Sequence, residues 1–409
     1  MIITTATISR SFARILVSFS IFFFIFTATE HTAPSFFYNL GSKDVLQYRS
    51  AAILFLKGLN PYDKKLISDV QQKTWQGEPR NRPIIFYTPP MLLSFAFPMG
   101  LISFKLSVYL WLSIMFTFSL ESCVLCYNLF GSLKKETLTV KFGLAFFFLT
   151  FFPFYTSFYF GQLSPLLLFG LVLSLVCFEH GNREIVNNFL GGLCLSVTFL
   201  KPHLLYLFYF YIFILSIRGK KWKTLMGMMF GIIILLVFPV LYNPKIITYF
   251  FHSTQSPPVY WKSPTLGSFF QGMFQKHSVI LRFIPTIIAG SLLTLFMFLS
   301  KRNFSKITVI YYLIPLSLLT TPYCWVYDQM LIAPAIFFIF SKFQNTIYKW
   351  NSRQLVVGIL LILANIIGVL IPGNLGQHVY IWYPMVILCS LVGITRQHRN
   401  TGGLNRMQN

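Results

Sequence analysis

Carboxylates are scarce in this chain, with ten Asp and Glu against 33 Lys and Arg in 409 residues. Five of the ten, Glu30, Asp44, Asp63, Asp69 and Glu78, fall between residues 30 and 104. That concentration makes the stretch the natural place for proton-accepting chemistry. Asp44 follows Gly41-Ser42-Lys43, and Ser42 predicts a helix cap with Gly58 as the stop after Lys57. Tyr48 lies four residues beyond Asp44 and shares its helical face. Asn60-Pro61 predicts a turn, and Tyr62-Asp63 an anchor against the bundle or the bilayer interface. Asp44 is the candidate base, against the plainer reading that it favours a helix N-terminus through the dipole. Asp63 is a second candidate base or a turn former. Asp69 and Glu78 read as solvated loop charges.

The elements that must position these residues are membrane helices. The chain is 55% hydrophobic, rich in Phe, and only 11% charged. A soluble domain needs roughly 25% charged residues to cover its surface. Apolar runs near 11–29, 105–130, 142–159, 163–178, 188–200, 202–217, 224–242, 281–300, 307–321, 324–341, 354–371 and 378–395 predict about twelve spans. The fold class is therefore all-α, a polytopic integral membrane protein. The short runs 188–200 and 202–217 predict a tight hairpin at Lys201-Pro202 or a broken pair lining a cavity. Residues 84–102 are apolar but interrupted by Pro89, Pro90 and Pro98, so they read as re-entrant or interfacial.

The net charge of +23 is distributed as short basic clusters between apolar runs. The loops 131–141 (Lys134, Lys135, Lys141), 218–223 (Arg218, Lys220, Lys221, Lys223), 301–306 (Lys301, Arg302, Lys306) and 342–353 (Lys342, Lys349, Arg353) share one side under the span alternation. Arg10, Arg14 and the tail (Arg396, Arg399, Arg406) join them. The short connections 160–162, 322–323 and 372–377 hold no Lys or Arg. By the positive-inside rule both termini are cytoplasmic. Two long outer loops result, about 30–104 and 243–280, on a single domain spanning 1–409 with a cytoplasmic tail at 396–409. The first segment, with Arg10 and Arg14 before an apolar run and Thr27-Ala28-Thr29, reads as a retained anchor rather than a cleaved signal. No basic stripe runs along a polar helix, which argues against nucleic acid as a partner.

The motifs carry a resemblance. The Asp44 helix, Gly58-Leu-Asn60-Pro61-Tyr62-Asp63 and Phe86-Tyr87-Thr88-Pro89-Pro90 resemble the front end of glycosyltransferase family 87. Gly161-Gln162-Leu-Ser-Pro165 resembles that family's Gly-Gln-x-[Asn/Ser] motif, and Gly191-Gly192 and Lys201-Pro202 follow. Thr321-Pro322-Tyr-Cys-Trp325-Val-Tyr327-Asp328 resembles its Ser-Pro-x-x-Trp-x-x-Asp-type motif. The matches run in order from about residue 40 to 335.

The resemblance implies a GT-C fold and a polyprenyl-phosphate sugar as donor. Described members are mannosyltransferases forming α-1,2 linkages, and their catalytic base is an acid early in the first outer loop, the position Asp44 matches. One base suffices for inversion, because a polyprenyl phosphate leaves already ionised. The leaving phosphate gathers charge and needs fixed cations or N–H groups. Lys201, at the expected outer end of two short spans, is the first candidate, against snorkelling as an anchor. Arg49, Lys262 and Arg282 are alternatives. Tyr48, Asn60, Tyr62, Asp63, Gln162, Trp325 and Asp328 complete the expected substrate-binding set. Gln162 also suits a tight turn, and Asp328 a hydrogen bond to Tyr323 or Trp325 near the outer end of its helix. Trp261, Tyr260 and Pro257-Pro258 suit sugar stacking or the bilayer interface.

The expected partners are a lipid-linked sugar donor, a glycan or lipid acceptor and membrane lipids, in a bacterial inner membrane with the site on the periplasmic side. No cofactor is indicated. His252 and His277 have no companion at metal-ligand spacing, although a divalent ion bridging Asp44 and the phosphate stays open. Cys123 and Cys126 form a CxxC inside an apolar run and read, like Cys177, Cys194, Cys324 and Cys389, as packing residues. The alternative function is a transporter or flippase for a lipid-linked saccharide, which favours midplane charges and repeat symmetry not evident here. A third is an O-antigen ligase-like or acyltransferase enzyme, for which His203 lies in an expected span.

Overall fold

The computed structural model describes residues 5–32, 42–74, 83–130, 144, 147–148, 150–179, 184–219, 222–255, 258–299, 308–343, 351–371 and 375–404. Among them the secondary structure is helix and turn, with no strand. Gly41, Glu78, Lys134, Lys135, Lys141, Lys220, Lys221, Pro257, Lys301, Arg302, Lys306, Lys349 and Arg406 lie outside the described residues. So do the side chains of Arg10, Glu30, Ser42, Arg396 and Arg399.

Five helices are long and apolar enough to cross a membrane: Phe104–Leu129, Trp222–Tyr242, Val279–Leu299, Ser352–Leu370 and Gln377–Thr395. Shorter apolar helices are Ala13–Ala28, Pro90–Gly100, Ser164–Glu179, Val186–Leu200, Pro202–Arg218, Thr308–Thr320 and Val326–Phe340. These helices make the chain an integral membrane protein. Several short ones are part 3₁₀: Ser196–Leu200 and Pro202–Leu205 flank Lys201, and Val326–Ile332 precedes the α-helix Ala333–Phe340.

The chain divides into two compact units. The first comprises Met1–Ser122, Thr156–Pro202 and Lys221–Pro258. Its central element is helix Ser42–Leu56, buried along Val45, Leu46, Tyr48, Ala51, Ala52 and Phe55. The helix ends in a Schellman motif, with Leu59 N–H donating to Leu54 O and Gly58 N–H to Phe55 O. Phe55 packs on Tyr242 and Phe238 at centroid distances of 4.7 and 5.6 Å, and the Tyr242 hydroxyl donates to Leu56 O. The helix is thus clamped at its C-terminal end by helix Trp222–Tyr242.

Residues 84–102 form a broken rod of Pro90–Leu92, Leu93–Ala96 and Phe97–Gly100. At 1.5–2.0 Å per residue the rod is about 20 Å long, short of the roughly 30 Å hydrocarbon core. Ser94 Oγ donates to Leu235 O, so the rod is held by protein. The segment before it is clipped by Gln71, which exchanges hydrogen bonds with the backbone of Ile84. Gln71 lies on helix Lys64–Thr74, whose first turn is capped by Asp63 Oδ1 accepting from Lys65 and Leu66 N–H.

Helices Glu184–Leu195 and Trp222–Tyr242 cross with their backbones in near contact. A Cβ on Gly192 would collide with Thr224 O, and one on Gly227 with Phe189 O. Close approach through small residues is how helices associate without a hydrophobic driving force. Gly227→Leu is expected to cost about 1–3 kcal/mol or more by overpacking. A clear drop in thermal unfolding temperature in detergent is the measurement.

In the same unit Arg14 meets Glu121 through two parallel bonds, Nε to Oε1 at 3.2 Å and Nη2 to Oε2 at 3.0 Å. Glu121 is 3% exposed, inside helix Phe104–Leu129.

The second unit comprises Cys123–Tyr155, His203–Lys220 and Val259–Asn409. Its core is aromatic: Phe148 stacks on Phe337 at 4.3 Å, Tyr311 on Phe338 at 4.6 Å, and Phe152 meets Tyr383 at 4.6 Å. Asn365 accepts from Phe152 N–H and donates to Thr150 Oγ1, satisfying the start of helix Phe152–Phe160.

Candidate active site

In the first unit the carboxylate of Asp44 lies in the opening turn of helix Ser42–Leu56 and is 9% exposed. Gln47, one turn on, donates its side-chain amide to Asp44 Oδ1. The amide fixes the rotamer of the carboxylate and supplies part of the hydrogen bonding that its burial demands. Tyr48, on the same face, donates to Gln162 Oε1 at 3.4 Å. Lys201 Nζ donates to that same oxygen at 3.0 Å. Gln162 therefore ties the Asp44 helix to the lysine of the Lys201-Pro202 break. Tyr48, Gln162 and Lys201 form one hydrogen-bonded group, and Asp44 lies one helical turn before Tyr48.

The turn carrying Gln162 is built for this. Gly161 has φ +73°, a left-handed conformation that side chains disfavour. Its carbonyl accepts from Trp111 Nε1 at 2.9 Å, and Trp111 packs on Tyr48 at 5.3 Å. Lys43 lays its ammonium 5.0 Å from the ring centroids of Tyr159 and Phe160, just before that turn. Two lysines thus approach the 159–162 segment, from helix Ser42–Leu56 and from the 3₁₀ break.

Other expected site residues are engaged elsewhere in this unit. Arg49 donates to Ile102 O at 2.8 and 3.2 Å and to Thr74 Oγ1 at 3.3 Å, and burial pushes its pKa down. Asn60 Oδ1 accepts from Tyr62 N–H at 2.9 Å. The Tyr62 hydroxyl donates to Thr88 O at 3.0 Å, and burial pushes its pKa well up. Asp63 caps the helix after the turn. These four hold the segment from residue 49 to residue 102 in shape.

Trp325 and Asp328 belong to the second unit. Asp328 is 1% exposed and its Oδ2 accepts from Trp325 N–H at 3.1 Å, capping the 3₁₀ helix Val326–Ile332. Lys262 is exposed there, while Arg282 is 0% exposed and bonded to loop carbonyls.

Sequence reasoning passed over Gln47, Trp111 and Lys43. Gln47 was within reach, since its i+3 spacing from Asp44 puts it on the same face. Trp111 and Lys43 act through contacts distant in sequence, which spacing does not encode. Among the described residues no group of three or more His, Cys, Asp or Glu is placed to hold a metal ion.

A chain-wide comparison adds one match, to a family model described as glycosyltransferase family 87, over residues 86–322. The match covers more than half of the chain and includes Gln162 and Lys201, while Asp44 lies upstream and Trp325 and Asp328 downstream. No curated protein and no solved structure matches.

Proposed function

Because the chain belongs to glycosyltransferase family 87, we propose that it transfers a hexose, with mannose as the first expectation, from a polyprenyl-phosphate donor to an acceptor hydroxyl. The proposal includes a GT-C architecture of about twelve spans in a bacterial inner membrane. Both termini are cytoplasmic in this reading, and the Asp44 loop faces the periplasm. The observation that carries it is a buried carboxylate one helical turn from a Tyr48–Gln162–Lys201 network.

The acceptor oxygen attacks the anomeric carbon and its proton passes to Asp44. A sugar hydroxyl is a poor nucleophile without such a base. The bond from the anomeric carbon to the phosphate oxygen breaks, its electron pair stays with that oxygen, and the anomeric configuration inverts. Lys201, with Lys43 beside the same turn, offsets the charge that gathers on the departing polyprenyl phosphate. A basic outer face also draws the anionic headgroup to the site.

The test is purified protein in lipid nanodiscs, assayed with a panel of polyprenyl-phosphate sugars and lipid or glycan acceptors. Transfer from at least one donor, slowed about 10³-fold in Asp44→Asn, is expected; transfer at the wild-type rate in that variant removes Asp44 from the mechanism. Gln162→Leu deletes the acceptor shared by Tyr48 and Lys201, and kcat/KM is expected to fall about tenfold to a hundredfold.

A further inference from the structure

The second unit places three aromatic side chains together that the transfer chemistry above does not use. Trp261 and Trp325 lie with centroids 5.5 Å apart at 56°, and Trp261 and Tyr323 6.1 Å apart at 83°. All three residues are half-buried, unlike the core aromatics Tyr311 and Tyr383 of the same unit, which are 1% and 0% exposed. They come from two loops, 259–263 and 321–325, and not from one lipid-facing helix.

Two buried charges brace these rings. Arg282 is 0% exposed and donates to Ser263 Oγ at 3.0 Å, to Val259 O at 3.2 Å and to Trp261 O. Its guanidinium also lies 4.8 Å from the Tyr323 centroid. Among the described residues it pairs with no carboxylate, and its Nε has no hydrogen-bond partner. A buried cation without a counter-ion is costly. Here it is spent on fixing the backbone of one ring and the face of another. Asp328, 1% exposed, fixes Trp325 from the other loop through its backbone N–H. A tryptophan that only anchors a protein at the bilayer interface needs no such bracing. Exposed Lys262 follows Trp261 directly.

We propose that Trp261, Tyr323 and Trp325 form a stacking platform for a pyranose ring, with Arg282 and Asp328 as positioning residues behind it. The proposal rests on the glycosyl-transfer reading for the choice of a sugar as occupant. The axial C–H bonds of a pyranose carry partial positive charge and meet the negative face of an indole or phenol ring. Lys262, next to Trp261 in the chain, stands at the edge, where sugar hydroxyls or a lipid phosphate would lie.

The test uses full-length protein in nanodiscs and saturation-transfer NMR with octyl mannoside, glucoside and galactoside below micellar concentration. Octyl glycerol, which lacks the ring, is the chain control. Saturable binding of at least one glycoside, absent for octyl glycerol, is expected. Trp261→Ala and Trp325→Ala are each expected to weaken it about tenfold, with Trp261→Phe recovering part. Arg282→Lys weakens it too, while Trp222→Phe, remote from these loops in sequence, leaves it unchanged. Where transfer is measurable, the KM that rises in Trp261→Ala assigns the platform to donor or acceptor. Unchanged binding in both alanine variants, or no saturable binding by the wild type, overturns the platform. Asp44→Asn should bind with wild-type affinity. Transfer at the wild-type rate in Asp44→Asn would therefore sink the catalytic reading alone, and ring-independent binding the platform alone.

Discussion

Replacing Asp44 by Asn is expected to lower kcat by roughly 10³-fold, the middle of the range for loss of a general base. Asparagine keeps the shape of the carboxylate and an oxygen to receive the Gln47 amide. The helix Ser42–Leu56 is clamped at its far end by Phe55 and Tyr242, so the variant should fold and insert normally. Donor binding should persist, because asparagine removes the basicity and leaves the lysines in place. The measurement is initial rate against donor concentration, with thermal unfolding recorded alongside. A loss of rate with unchanged KM and unchanged unfolding separates chemistry from folding. If stability drops in parallel, Asp44 serves the helix terminus instead.

The second large effect is expected at Lys201. Lys201→Met keeps the apolar stem and deletes the ammonium, so kcat/KM should fall by roughly 10²–10³-fold, as when a charge-stabilising donor is lost. Lys201 sits between two 3₁₀ segments whose backbone bonds do not depend on its side chain. The deletion should therefore leave the break intact. Lys201→Arg is expected to recover part of the rate, since the charge returns with different geometry. The measurement is kcat/KM at several salt concentrations. Wild-type activity in Lys201→Met would leave the lysine as an interfacial anchor and shift the phosphate to Lys43.

Much of the architecture was legible in the residues. Long apolar runs leave little choice but helix, and the runs beginning near 224, 281 and 354 coincide with Trp222–Tyr242, Val279–Leu299 and Ser352–Leu370. Gly58 ends its helix as its position predicts, and the prolines of 84–102 leave a broken rod. Helix Lys64–Thr74 was not legible, because it is short, charged and stabilised by burying Ile67 and Gln71 against distant chain. The Asp44–Tyr48 face follows from helical spacing alone. The link from Tyr48 through Gln162 to Lys201 does not, since it joins residues more than a hundred positions apart. The burial of Arg282 was equally hidden, because an arginine near a helix start looks the same in sequence whether it faces water or the core.

The order of synthesis gives the Arg14–Glu121 pair a consequence of its own. Arg14 leaves the ribosome 107 residues ahead of its partner. Long basic side chains without a counter-ion are tolerated at the lipid headgroups, and Arg14 has no Glu121 to meet before helix Phe104–Leu129 is made. Glu121 then supplies the counter-charge that joins helix Thr5–Thr32 to helix Phe104–Leu129. The ion pair that ties helix Thr5–Thr32 to helix Phe104–Leu129 therefore cannot form until residue 121 has been translated.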